Sequence, residues 1–190
     1  MRLASLTRTL FLAPLLVFST ISAHAATITF TANLLASSEV PPSTTSTGSG
    51  TGTFTFDTVA QDIAFTISYS GLTSSAAMGH IHAGAVGVNG PVILPFSPGP
   101  TDTSGTLTGM LTPADLINQA TSGIVTFSDI YNAAIAGDLY TNVHTGNFPA
   151  GEIRGQLTQA SAVPEPVTGL LFASGLLAIP LALRLRRKVH

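Results

Sequence analysis

Apolar and polar residues alternate with a period of two along much of this chain. Ile28, Phe30, Ala32 and Leu34 are interleaved with threonines and Asn33, and Phe54 and Phe56 with Thr53, Thr55 and Asp57. Ile63, Phe65, Ile67 and Tyr69 are interleaved with Ala64, Thr66 and Ser68. Successive side chains of a strand point to opposite faces, so each run predicts a strand with one face on a core. Further strands are predicted over residues 78–83, 92–96, 106–111, 139–145 and 152–158. Gly and Pro punctuate these runs at short spacing and threonine is abundant, which favours an all-β sandwich or barrel.

Two short helices interrupt the pattern. Thr112 reads as an N-cap, with Pro113 at the first helical position and Asp115 at the third. Residues 128–136 read as a second helix, stopped by Gly137. Residues 43–53 are almost entirely Ser, Thr and Gly, and predict a flexible connection into the Phe54 strand.

Both ends follow a different pattern. Arg2 and Arg8 precede an apolar stretch over residues 10–21, and Ala23-His24-Ala25 offers small residues at a cleavage site. Residues 1–25 therefore read as a secretory signal peptide, whose helix is removed by signal peptidase. Near the other end, Val163-Pro164-Glu165-Pro166 precedes residues 167–183, a run of 17 residues without a charge. That length is at the short end of what crosses a bilayer. Arg184, Arg186, Arg187 and Lys188 follow it, so the positive-inside rule places the C-terminus in the cytoplasm. A buried C-terminal helix would not end in so dense a basic cluster.

This tail, a Pro-Glu-Pro motif followed by an apolar helix and a basic terminus, resembles the PEP-CTERM sorting signal. The resemblance implies processing near the motif by exosortase, a membrane peptidase, and transfer of the protein to the cell surface or beyond. The expected plan is a signal peptide over 1–25, one domain over 26–159, and a spacer with the motif over 160–166. A transmembrane helix over 167–183 and a basic tail over 184–190 complete it.

With the ends set aside, the charge changes. The whole chain carries a net −2, but residues 26–163 hold one basic residue, Arg154, against eight acidic ones, leaving −7. Nucleic acid is excluded as a partner, since its binding needs clustered Lys and Arg. The domain has no lysine for Schiff-base chemistry. The chain has no cysteine, so disulfides and thiolate chemistry are impossible and the core must hold the fold. About 138 residues are enough for such a core.

Few polar residues stand out against the strands. His80 and His82 lie two apart, on one face of a strand, with Cα atoms about 6.5 Å apart. Residues 140–145 and 151–156 read as a hairpin with a five-residue connection. Setting Thr145 against Gly151 brings His144 opposite Glu152, Asn142 opposite Arg154, and Tyr140 opposite Gln156. The same register gathers Val143 and Ile153 on the apolar face.

Glu39-Val40-Pro41-Pro42, residues 50–56, His80-Ile81-His82 with its Gly/Asn/Pro loop, residues 140–145 and residues 151–155 together resemble the CHRD domain. The match runs from about residue 27 to 158 in the family's order. It implies an immunoglobulin-like antiparallel β-sandwich and little chemistry. The His-x-His strand is also similar to that of copper–zinc superoxide dismutase, whose further histidines, bridging arrangement and disulfide have no counterpart here.

The functional reading of the polar group is a metal site of His80, His82 and His144, with Glu152 as fourth ligand or as a support for an imidazole. Imidazoles suit Zn, Cu or Fe. The competing reading is a hydrogen-bonded cluster in which Glu152 pairs with Arg154 and the histidines bond backbone or Asn142. Glu39 reads simply as a strand-end residue before two prolines. No catalytic motif is present: no Gly-x-Ser-x-Gly elbow, His-Glu-x-x-His helix or phosphate loop occurs. The expected function is a non-enzymatic surface or extracellular-matrix component that binds polysaccharide or another surface protein. The alternative is a periplasmic or surface metal-binding protein, open to redox chemistry.

Overall fold

The computed structural model describes residues 27–97 and 99–161. The signal peptide, the sorting motif, the apolar run and the basic tail all lie outside these residues. Among the described residues, no helix is long and apolar enough to cross a membrane.

The described residues form nine strands: β1 (Thr27–Leu35), β2 (Ser49–Asp57), β3 (Asp62–Ser70), β4 (Ala76–Ala83), β5 (Val92–Pro95), β6 (Gly105–Leu111), β7 (Leu139–Thr145), β8 (Ile153–Gln156) and β9 (Thr158–Gln159). All pairings are antiparallel, in the order β5-β4-β7-β8-β1-β2-β3-β6, with β9 on β1. Two halves of four strands are joined by one residue pair between β1 and β8, Leu35 with Arg154. After β6, the chain crosses to the far edge, where Ile117 N–H donates to Ile93 O and Asn118 Nδ2 to Val92 O. The two sheets expected of a sandwich are thus one nearly closed, barrel-like sheet.

The alternation seen in the sequence fills its interior. Phe30, Phe54, Phe56, Ile63, Phe65 and Ile67 are buried while their threonine neighbours face outward. Phe96, just past β5, stacks on Phe65 of β3 with centroids 4.7 Å apart, tying the two halves together through the core. Of the two α-helices, α1 (Gln119–Ser122) is one turn and α2 (Phe127–Ala136) caps the barrel, with Phe127 and Tyr131 against Phe56. Thr126 and Asp129 form a capping box at the start of α2, and Gly137 ends it at φ 78°, a left-handed position suited to glycine.

Three expectations are corrected. Thr112 and Asp115 do form a capping box, but the segment they open is a 3₁₀ turn over Pro113–Asp115. Residues 43–53 are not a flexible connection: β2 begins at Ser49, while Ser43 and Ser46 donate to Gly151 O and Glu152 Oε1. Small hydroxyl side chains here serve close packing, a role composition does not reveal. The strand expected over 152–158 is split into β8 and β9 at Leu157, whose N–H donates to Leu139 O.

Candidate metal centre

Ile81 of β4 and Val143 of β7 point into the core, so the period of two turns His80, His82, Tyr140, Asn142 and His144 outward. The hairpin register is the expected one: Tyr140 pairs with Gln156, Asn142 with Arg154, and Val143 with Ile153. Across β4 and β7, His80 pairs with Asn142 and His82 with Tyr140. The outward face is nevertheless buried, because three segments roof it. Residues 84–91 are pinned by Arg154, which donates to Ala85 O, Val88 O and Asn89 Oδ1. Residues 39–43 are held by Asn89 Nδ2 on Val40 O and by Ser43 on Gly151 O. Residues 146–151 close the third side.

Under this roof the three imidazoles converge. Their ring centroids lie 5.0 Å (His80–His144), 5.5 Å (His80–His82) and 6.1 Å (His82–His144) apart. One nitrogen from each lies within 4.8 Å of the others. His82 Nδ1 is 2.9 Å from Gly90 O, and His144 Nδ1 is 3.0 Å from Pro149 O. A carbonyl oxygen only accepts, so each Nδ1 carries the proton and each neutral ring keeps its Nε2 lone pair. His144 Nε2 faces His80 Nδ1 at 3.3 Å. His82 Nε2 is buried with no hydrogen-bond partner.

Burial keeps the rings neutral. It pushes His80 down to about 4, helped by His144 and His82, and lowers His82 and His144 as well. Three neutral imidazoles, two of them fixed by backbone carbonyls with their Nε2 lone pairs free, form the arrangement that ligating histidines adopt.

Glu152 does not join them. Its carboxylate accepts from Ser46 Oγ, Thr73 N–H, Thr73 Oγ1 and Thr145 Oγ1 at 2.6–3.0 Å. Thr145 lies across the strand from the outward face, so Glu152 is turned away from His144, and it does not pair with Arg154. The ladder ends at the Val143–Ile153 pair, one short of the expected His144–Glu152 pair, and leaves Glu152 free to turn.

The acid at the site is Glu39, which is 5% exposed. Burial raises its carboxyl to about 7, against the lowering effects of Arg154, the Asn142 amide and the Val40 N–H. Its Oε1 has no hydrogen-bond partner. A Cβ on Gly151 would collide with that carboxyl and come within 2.8 Å of Asn142 Nδ2; Gly151 sits at φ 130°, where glycine is at home. The one sequence signal for Glu39 was its place beside Val40-Pro41-Pro42, a motif that turns the chain back over the sheet.

No curated protein and no solved structure matches the chain. The family model for the CHRD domain matches residues 30–157, a span that includes every residue of this centre, and the chain belongs to the CHRD family.

Proposed function

We propose that this CHRD domain is an exported, non-enzymatic surface module that holds one transition-metal ion, Zn, Cu or Fe, on His80, His82 and His144. The observation that carries the reading is His82 Nε2, buried and unpartnered while its Nδ1 is locked on Gly90 O. Burying a polar atom without a partner costs about 1–3 kcal/mol, a cost that a bound ion removes. The Arg154 charge disfavours positive charge at His82, a repulsion that three imidazole ligands outweigh in this reading, while its guanidinium is directed onto the 84–91 loop and lies over the Tyr140 ring.

The ends of the chain support export. A signal peptide cut after Ala25, and a Pro-Glu-Pro motif handed to exosortase, carry the domain through a membrane-anchored stage to the cell surface or extracellular matrix. Polysaccharide or another surface protein is its partner there. The two halves, joined by one residue pair and by β9 on β1, correspond in this reading to the two layers of an immunoglobulin-like sandwich.

The test is elemental mass spectrometry of the full-length chain, purified in detergent without a histidine tag. About one equivalent of metal is expected in the wild type and none in a His80→Ala/His144→Ala double variant. A wild type that retains no zinc, copper or iron after loading and dialysis would sink the reading.

A further inference from the structure

Three histidines leave the fourth position of a tetrahedral ion to be filled, and Glu152 is turned away from it. What faces the imidazoles is Asn142. It is 2% exposed, pairs directly with His80 across β4 and β7, and stands two residues before His144. Its Oδ1 lies 2.9 Å from His144 Nε2, and its amide is near enough to His82 to favour that ring's charged form.

With the amide in this orientation, the 2.9 Å contact is not a hydrogen bond while His144 is neutral. Nδ1 holds the single ring proton against Pro149 O, so Nε2 and Asn142 Oδ1 are two acceptors facing each other. A cation beside both turns the repulsion into attraction. Ligand bonds of about 2.0–2.1 Å in a tetrahedral site place neighbouring donor atoms about 3.3 Å apart, and the three imidazole nitrogens, within 4.8 Å of one another, draw together to reach this. His144 Nε2 to His80 Nδ1 is 3.3 Å.

The amide's orientation has its own cause. Asn142 Nδ2 and the Glu39 carboxyl meet over Gly151, where the missing Cβ makes room for both. An ionised Glu39 carboxylate is acceptor-only, so it takes Nδ2 and leaves Oδ1 facing the imidazoles, whereas the protonated carboxyl also offers an O–H to Oδ1. The orientation is therefore set by the ionised form, which a bound cation favours.

Resting on the three-histidine reading, the geometry points to Asn142 Oδ1 as the fourth ligand of a divalent ion of the zinc class, with Glu39 as the residue that positions its amide. A site of three nitrogens and one oxygen, all from the protein, is coordinatively closed, as structural sites are. All four ligands lie on β4 and β7, and the roof meets them through Gly90 O on His82, Pro149 O on His144 and Glu39 beside Asn142.

The experiment titrates the full-length chain in detergent with Zn²⁺ against a chromophoric chelator, and with Co²⁺ followed by its visible absorption. His82→Ala is expected to lose at least 100-fold in affinity. Asn142→Ala is expected to keep one equivalent, lose about 10–100-fold in affinity, and shift the Co²⁺ spectrum as solvent takes the fourth place. Asn142→Ala with wild-type affinity and an unchanged spectrum overturns Asn142 as ligand and leaves the histidines standing. His82→Ala with wild-type affinity overturns the histidine reading itself. Should Asn142→Ala fail to fold, Asn142→Asp decides: it keeps an oxygen donor and adds charge, so tighter binding and a shifted spectrum are expected. An unchanged spectrum and affinity there overturn the proposal.

Discussion

Arg154 lies over Tyr140, its Cζ 3.4 Å from the ring centroid, and Tyr140 in turn stacks on His82 at 4.7 Å and 12°. The only Lys or Arg between residues 26 and 163 thus joins the roof to the histidine cluster through an aromatic ring. Its three hydrogen bonds to the 84–91 loop need a planar fork, which lysine lacks. Arg154→Lys is expected to lose about 2–3 kcal/mol in urea denaturation. Amide exchange in residues 84–91 should rise with it. A variant within about 0.5 kcal/mol of wild type, the range of an ordinary surface change, would mean that the loop is held by other contacts.

Gly151 carries a second prediction. Its φ of 130° disfavours any side chain, and the Cβ of alanine would meet Glu39 and Asn142. Backbone strain and overpacking add, so Gly151→Ala should cost about 2–4 kcal/mol. Because the collision falls on the pair that orients Oδ1, Zn²⁺ affinity should fall as well. Loss of stability with unchanged affinity would separate Gly151 from the centre.

Glu152 separates stability from metal binding in the opposite sense. It is fully buried and accepts from Ser46, Thr73 and Thr145, and these donors hold its carboxyl below the ordinary range against the opposing effect of burial. Its stabilisation is therefore present above the unfolded value of 4.5 and lost as pH falls through the lower folded value. Glu152→Gln places an amide N–H₂ among donors and should cost about 2–3 kcal/mol at pH 7, with metal stoichiometry unchanged. A variant that folds normally and loses its metal would restore Glu152 as a ligand.

Much of this was legible in the chain. Period-two alternation located β1 to β7, and matching Val143 with Ile153 fixed the register that brings His144, Asn142 and Arg154 to one face. The residues that sequence reading misplaced depend on contacts between distant segments. Glu39 reaches Asn142 from 103 positions away in the chain, and Ser46 and Thr73 reach Glu152, by chain reversals that leave no periodic mark. Glu152 was misassigned because a register specifies which residues oppose each other but not where the ladder stops. The closure of the two halves into one sheet rests on the pair Leu35 with Arg154 and on the two-residue strand β9 against β1, ladders too short to leave a pattern.

In the metal-free protein, Glu39 and His80 should impose opposite pH slopes. Glu39 is raised from 4.5 to about 7, so between these values the folded protein binds the proton that the unfolded chain has released. Its contribution is full below pH 4.5 and lost as pH rises through 7. His80 is lowered from 6.5 to about 4, so the unfolded chain takes the proton first as pH falls. Its contribution is present above pH 6.5 and lost on acidification toward 4. Between 4.5 and 6.5 the two slopes oppose each other and flatten the wild-type profile. Glu39→Gln removes the first slope alone. Relative to wild type, the variant should gain stability steadily from pH 4.5 to 7, by up to about 3 kcal/mol, and hold that difference above pH 7. Urea denaturation at four pH values across that window gives the difference directly. A difference that does not change with pH would mean that Glu39 titrates alike in both states, and that the carboxyl over Gly151 is more hydrated than its burial implies.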